Sequence, residues 1–76
     1  MPEFQKELDV KNMNCPIPVM QTKKILRNMA AGEVLHVVAT DPASVVDISI
    51  LLESVDDALI DSSEGGGEYH FYIKKS

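Results

Sequence analysis

The chain has no tryptophan, only two tyrosines and two phenylalanines, and one cysteine among its 76 residues. One cysteine makes no internal disulfide, which excludes a disulfide-stapled scaffold and a dithiol redox cycle held within one chain. Together with two scattered histidines it offers no C-x-x-C or H-x-x-x-H spacing, so no metal site is expected. No cofactor is expected either, since there is no glycine-rich phosphate loop and no sign of a Schiff-base pocket. Cations are few: seven Lys and Arg stand against twelve Asp and Glu, a net charge of −5. Nucleic-acid surfaces draw affinity from clustered Lys and Arg, so direct nucleic-acid binding is not expected. No apolar run approaches the ~20 residues that cross a bilayer, and Met1-Pro2-Glu3 does not open like a signal peptide. The expectation is a cytoplasmic chain with no membrane attachment.

What is present is ordinary for a folded protein, with 45% hydrophobic and 25% charged residues. The length fits one domain over residues 1–76, and a chain so short buries only about 60% of its unfolded surface. Its core must therefore come from few elements.

Residues Phe4 to Val10 alternate, with Phe4, Lys6, Leu8 and Val10 on one side and Gln5, Glu7 and Asp9 on the other, which predicts a half-buried strand. Lys11 to Asn14 form a short connection in which Asn12 best tolerates a left-handed backbone. From Pro16 to about Met29, Val19, Thr22, Ile25, Leu26 and Met29 recur at helical spacing, with Gln21, Lys24, Arg27 and Asn28 opposite and Gly32 as the stop. Val34 to Thr40 is a β-branched strand run that completes a parallel βαβ unit, with Leu35, Val37 and Ala39 toward the helix and His36 and Val38 away. Asp41-Pro42 caps and opens a second helix through roughly Glu53, carried by Val45, Ile48, Leu51, Leu52 and Val55, with a break at Asp47 and Ser49. Ala58 to Ser63 and Glu68 to Lys74 then form a hairpin through Gly65-Gly66-Gly67, Tyr69, Phe71 and Ile73 lining one face and His70 and Tyr72 the other. The reading is an α/β two-layer sandwich, βαβαββ, with two helices on one face of a four-stranded mixed sheet. Both histidines read as structural side chains.

The one cysteine stands in Asn14-Cys15-Pro16-Ile17-Pro18. Two prolines so close fit only a helix's first turn, where missing N–H groups cost nothing. This makes Cys15 the expected N-cap, with Pro16 at the first helical position, Pro18 at the third, and the N–H of Ile17 as the donor for the sulfur. A thiolate there meets the positive end of the helix dipole, which favours its charged form below the free cysteine value of about 8.5. Cys15 is thus the candidate nucleophile, and Pro16 and Pro18 set its approach to the helix. Met20, Lys23, Lys24 and Arg27 form a small basic margin on an acidic protein, the candidate docking edge for a partner.

Leu8 to Met20 with its C-P-x-P core, Gly32-Glu33 and Asp41-Pro42-Ala43 resemble the TusA (formerly SirA) family of small sulfur carriers across nearly the whole chain. The resemblance implies a fold similar to the C-terminal domain of translation initiation factor 3. It implies that Cys15 receives sulfane sulfur as a persulfide from a donor such as a cysteine desulfurase, and passes it to a sulfur-acceptor protein. In one branch the sulfur ends in tRNA 2-thiouridine. Asn12 stands where many relatives carry glycine, and Val46 and Ser49 where many carry arginine and proline.

From the residues alone, other functions stay open. A peroxide-sensing or redox thiol would need an outside thiol to resolve it. A regulatory binding module would carry the cysteine incidentally and survive Cys15→Ser. The small size and polar helix surface are compatible with a monomer.

Overall fold

The computed structural model describes residues 3–14 and 16–76. Its elements are β1 (Lys6–Val10), α1 (Ile17–Arg27), β2 (Val34–Ala39), α2 (Ala43–Glu53), β3 (Ala58–Gly65) and β4 (Glu68–Lys74). The strands form one sheet in the order β1-β2-β4-β3, with β1 parallel to β2 and the remaining neighbours antiparallel. This is the expected mixed sheet, and the chain order is β-α-β-α-β-β.

Both helices pack on one face. Leu26 and Met29 from the α1 side and Ile48 and Leu51 from α2 meet Val10, Leu35, Val37, Ala39, Phe71 and Ile73 in a single core. Each such side chain taken out of water contributes about 1.5–3 kcal/mol against the entropy of ordering the chain. β2 sits between β1 and β4 and is buried along its whole length, which suits its run of branched residues.

The helix-free face of β2 needs its own cover. Phe4 provides part of it, with its ring 4.9 Å from that of His36 and 6.2 Å from that of Tyr72. Phe4 therefore lies across the sheet from Leu8 and Val10, and not beside them as the alternation predicts. The strand proper begins at Lys6, and before it only the Gln5 N–H continues the pairing, donating to the Val34 carbonyl at 3.0 Å.

Three boundaries differ from expectation. α1 ends at Arg27 with Asn28 as its cap, so Gly32 does not terminate it. Gly32, at φ 89°, instead turns the chain into β2, and its N–H donates to the Lys75 carbonyl at 2.8 Å. α2 runs unbroken through Asp47 and Ser49, and the Ser49 hydroxyl donates to the Val45 carbonyl at 2.8 Å, so its polar group is satisfied within the helix. Val45 is exposed, and Ser44 takes the buried place in the first turn, its hydroxyl donating to the Asp41 carbonyl. β3 extends to Gly65, and Gly66 and Gly67, at φ 61° and 81°, make the hairpin turn with the two positive angles of a primed type I turn.

Candidate functional site

The connection from β1 to α1 carries the cysteine motif. Val10 is fully buried and anchors its start. The Lys11 N–H donates to Asp9 Oδ1 at 2.9 Å, and the Met13 N–H to the Val10 carbonyl at 3.2 Å. Closing that turn puts Asn12 at φ 64°, the left-handed conformation that asparagine tolerates better than most residues. The Asn12 N–H donates at 2.8 Å to Thr40 Oγ1, at the far end of β2. Sequence reasoning missed Thr40; the available signal was a hydroxyl side chain closing a strand directly before Asp41-Pro42.

Cys15 lies outside the described residues, so its nucleophilic character rests on the sequence. Its neighbours correct part of that reading. The helix starts one residue later than expected, with Pro16 as its cap, Ile17 first and Pro18 second. The Ile17 N–H donates to the Asn14 carbonyl at 2.9 Å and is not the expected donor for the sulfur. That bond uses the donor. Pro16 is exposed, whereas Pro18 is fully buried and its carbonyl accepts the Thr22 hydroxyl at 2.8 Å. The two prolines thus have separate roles, one at the surface and one in the packing.

The proposed docking edge also divides. Met20 and Lys23 line an apolar groove of about 410 Å³ between the helices, floored by Val19 and Leu51 and bordered by Pro16, Asp47 and Ile50. Lys23 and Arg27 continue into the adjoining cleft toward Val55 and Lys75. Lys24 faces the other flank, with Gln21, Asn28, Lys6 and Glu7. Helical spacing explains the split, since Lys23 and Lys24 stand about 100° apart around the helix and flank Met20 on opposite sides. Among the described residues, none of Lys23, Lys24 and Arg27 forms an ion pair within 4 Å. Beside Lys23 in this groove, Met20 and Ile50 are 61% and 57% exposed. The groove is thus apolar along its floor and cationic along one rim.

The histidines stand on the opposite face of the sheet. Glu7, His36, His70 and Glu68 form a chain of polar contacts at 3.0, 2.9 and 3.4 Å, with His36 stacked on Tyr72 at 4.5 Å between ring centres. This cluster of mutually packed and bonded side chains agrees with their reading as structural. Among the described residues no group of His, Cys, Asp and Glu is placed to hold a metal, and no helix is long and apolar enough to cross a membrane.

Comparison with known proteins agrees with this arrangement. The fold is shared with a SirA-like protein from Desulfitobacterium hafniense, at a TM-score of 0.82 and 24% identity over 92% of this chain and 96% of that one. The Sulfur carrier protein TusA of Allochromatium vinosum is 47% identical over 76 residues, covering 100% of both chains. The family profile described as Sulfurtransferase TusA matches residues 6–75, from the first residue of β1 to the end of the sheet and beyond. A likeness that spans the whole fold, cysteine loop included, makes this chain a member of the TusA family.

Proposed function

We propose that this protein is a sulfur carrier that takes up sulfane sulfur as a persulfide on Cys15 and relays it to an acceptor protein. The observation that carries the reading is the full-length likeness to a protein named as a sulfur carrier, 47% identical from end to end. The chemistry is that of thiol–disulfide exchange. The Cys15 thiolate attacks the terminal sulfur of the donor's persulfide, the donor's S–S bond breaks, and its electron pair leaves on the donor thiolate. The proton of the persulfide stays on the transferred sulfur. Release is the same step reversed in role: an acceptor thiolate attacks that sulfur and Cys15 departs as thiolate. No net oxidation occurs and no general base is required, because thiolate character comes from the start of α1.

The sulfur donor is a protein such as a cysteine desulfurase, since this sequence offers no site for the chemistry that frees sulfur from an amino acid. Docking uses the α1 stripe of Met20, Lys23 and Arg27 beside the interhelical groove, where cations speed encounter with an acidic surface and the apolar floor supplies burial. Synthesis of tRNA 2-thiouridine is one destination for such a relay, reached through the acceptor and without direct nucleic-acid contact, consistent with the net charge of −5.

The test is loading. Incubated with a cysteine desulfurase, pyridoxal phosphate and cysteine, the protein gains the mass of one sulfur at Cys15, and dithiothreitol restores the free thiol. Cys15→Ser gains nothing. A glutathione mixed disulfide in place of the sulfur adduct supports a redox thiol instead, and no adduct with any of several competent desulfurases defeats the carrier reading.

A further inference from the structure

We infer that Thr40 is a positioning residue for the cysteine loop, and that its hydroxyl oxygen, by holding the Asn12 N–H, sets how Cys15 is presented at the start of α1. The inference deepens the carrier reading and rests on it for its functional arm.

The hydrogen bonds of this loop are unequal. Lys11 to Asp9, Met13 to Val10 and Ile17 to Asn14 are local, spanning two or three residues. They fix the shape of the turns but not where the loop sits on the domain. The bond from Asn12 to Thr40 Oγ1, at 2.8 Å and across 28 residues, ties this loop to another part of the fold. A second long-range contact, Lys11 with Glu68 at 4.0 Å, is an exposed ion pair of the kind that contributes little.

The two ends of this tie are themselves firmly held. Thr40 follows directly on buried Ala39, which pairs with both Val10 and Tyr69. It precedes Asp41, whose side chain accepts the Ala43 N–H at 3.0 Å and whose carbonyl accepts the Ser44 N–H at 2.9 Å. The backbone of Thr40 is thus held between the end of the central strand and the start of α2. Asn12 has a backbone angle of 64°, so its N–H is turned out of the β1 ladder and needs a partner elsewhere. Since Asn12 lies three residues before Cys15, a change in this bond rotates the exit of the loop. A small misplacement of a nucleophile costs rate out of proportion to its energy.

The experiment compares Thr40→Val, which keeps the shape and removes the acceptor, with Thr40→Ser, which keeps the acceptor. Ile73→Val, a core change on β4, serves as a control of similar overall stability by urea unfolding. In Thr40→Val the Asn12 amide exchanges about 3- to 10-fold faster relative to β2 amides, as expected for one lost hydrogen bond. The pH midpoint of Cys15 alkylation by iodoacetamide moves up toward that of a free thiol, and single-turnover sulfur uptake from a persulfidated desulfurase slows several-fold at saturating donor. Thr40→Ser restores all three, and Ile73→Val leaves the alkylation midpoint where it was. Unchanged Asn12 exchange and alkylation in Thr40→Val overturns the inference. So does an equal shift in Ile73→Val, which makes the effect one of general stability. If the wild type takes up no sulfur, the carrier reading fails alone, because exchange and alkylation still decide the role of Thr40.

Discussion

His36 Nε2 and His70 Nδ1 face each other at 2.9 Å across the helix-free side of the sheet, so one of the two must donate and the other accept. Glu7 accepts from His36 Nδ1 at 3.0 Å, which leaves Nε2 as the lone-pair side of that ring and makes His70 the donor. The expected outcome in ¹⁵N-resolved NMR at neutral pH is an unprotonated Nε2 on His36 and a protonated Nδ1 on His70. Finding the reverse pattern would mean that Glu7 does not orient the pair.

The same cluster predicts unequal mutational costs. His36 is 6% exposed, stacks on Tyr72 and meets the tilted ring of Phe4, so His36→Ala should destabilise by about 2–4 kcal/mol in urea unfolding. His70→Ala, at a half-buried position, should cost about half as much. Equal costs would show that the rings share one environment despite their different burial.

Pro16 and Pro18 should separate. Pro18 is fully buried and Pro18→Ala leaves a small void, so a loss of about 1–2 kcal/mol is expected. Pro16→Ala, at the surface, should leave the unfolding midpoint nearly unchanged while slowing sulfur uptake. If Pro16→Ala transfers sulfur normally, the proline before the helix has no role in presenting the thiol.

The three α1 cations should not be equivalent. Lys23→Glu and Arg27→Glu should each slow association with a desulfurase and flatten its salt dependence, because Lys23 borders the interhelical groove and Arg27 the cleft that adjoins it. Lys24→Glu, on the other flank, should change the association rate less than either. Stopped-flow binding at two salt concentrations distinguishes them, and a dominant effect of Lys24 would move the docking edge toward β1.

Much of this was legible before the structure because single residues carry strong local rules. Branched residues from Val34 to Ala39 mark a buried strand, Asp41-Pro42 marks a helix start, and the period of Leu26 and Met29 marks a core face. The failures are of another kind. Phe4 fits the alternation of β1 and yet crosses the sheet, since only the aromatic surface of His36 and Tyr72, distant in sequence, decides where it rests. Ser49 reads as a break and is helical because buried Ile48 and Leu51 hold the helix to the core, while its hydroxyl is satisfied by the Val45 carbonyl. The Ile17 donor is consumed by the Asn14 carbonyl, a pairing that no propensity specifies. Thr40 is invisible to pattern reasoning because its partner lies 28 residues away.

β3 is an edge strand exposed along its whole length, with Leu59 and Ile60 both open to solvent. Its ladder with β4 slips at Ile60, between the pairs Leu59 with Ile73 and Asp61 with Tyr72. The extra residue bends the strand and interrupts its free row of N–H and C=O groups at its most apolar point, and Asp61 follows with a charge. A second strand arriving from outside cannot extend pairing through that kink without leaving groups unbonded. Deleting Ile60 would straighten the edge, and the protein's first response to crowding at high concentration would then be to add strands to itself.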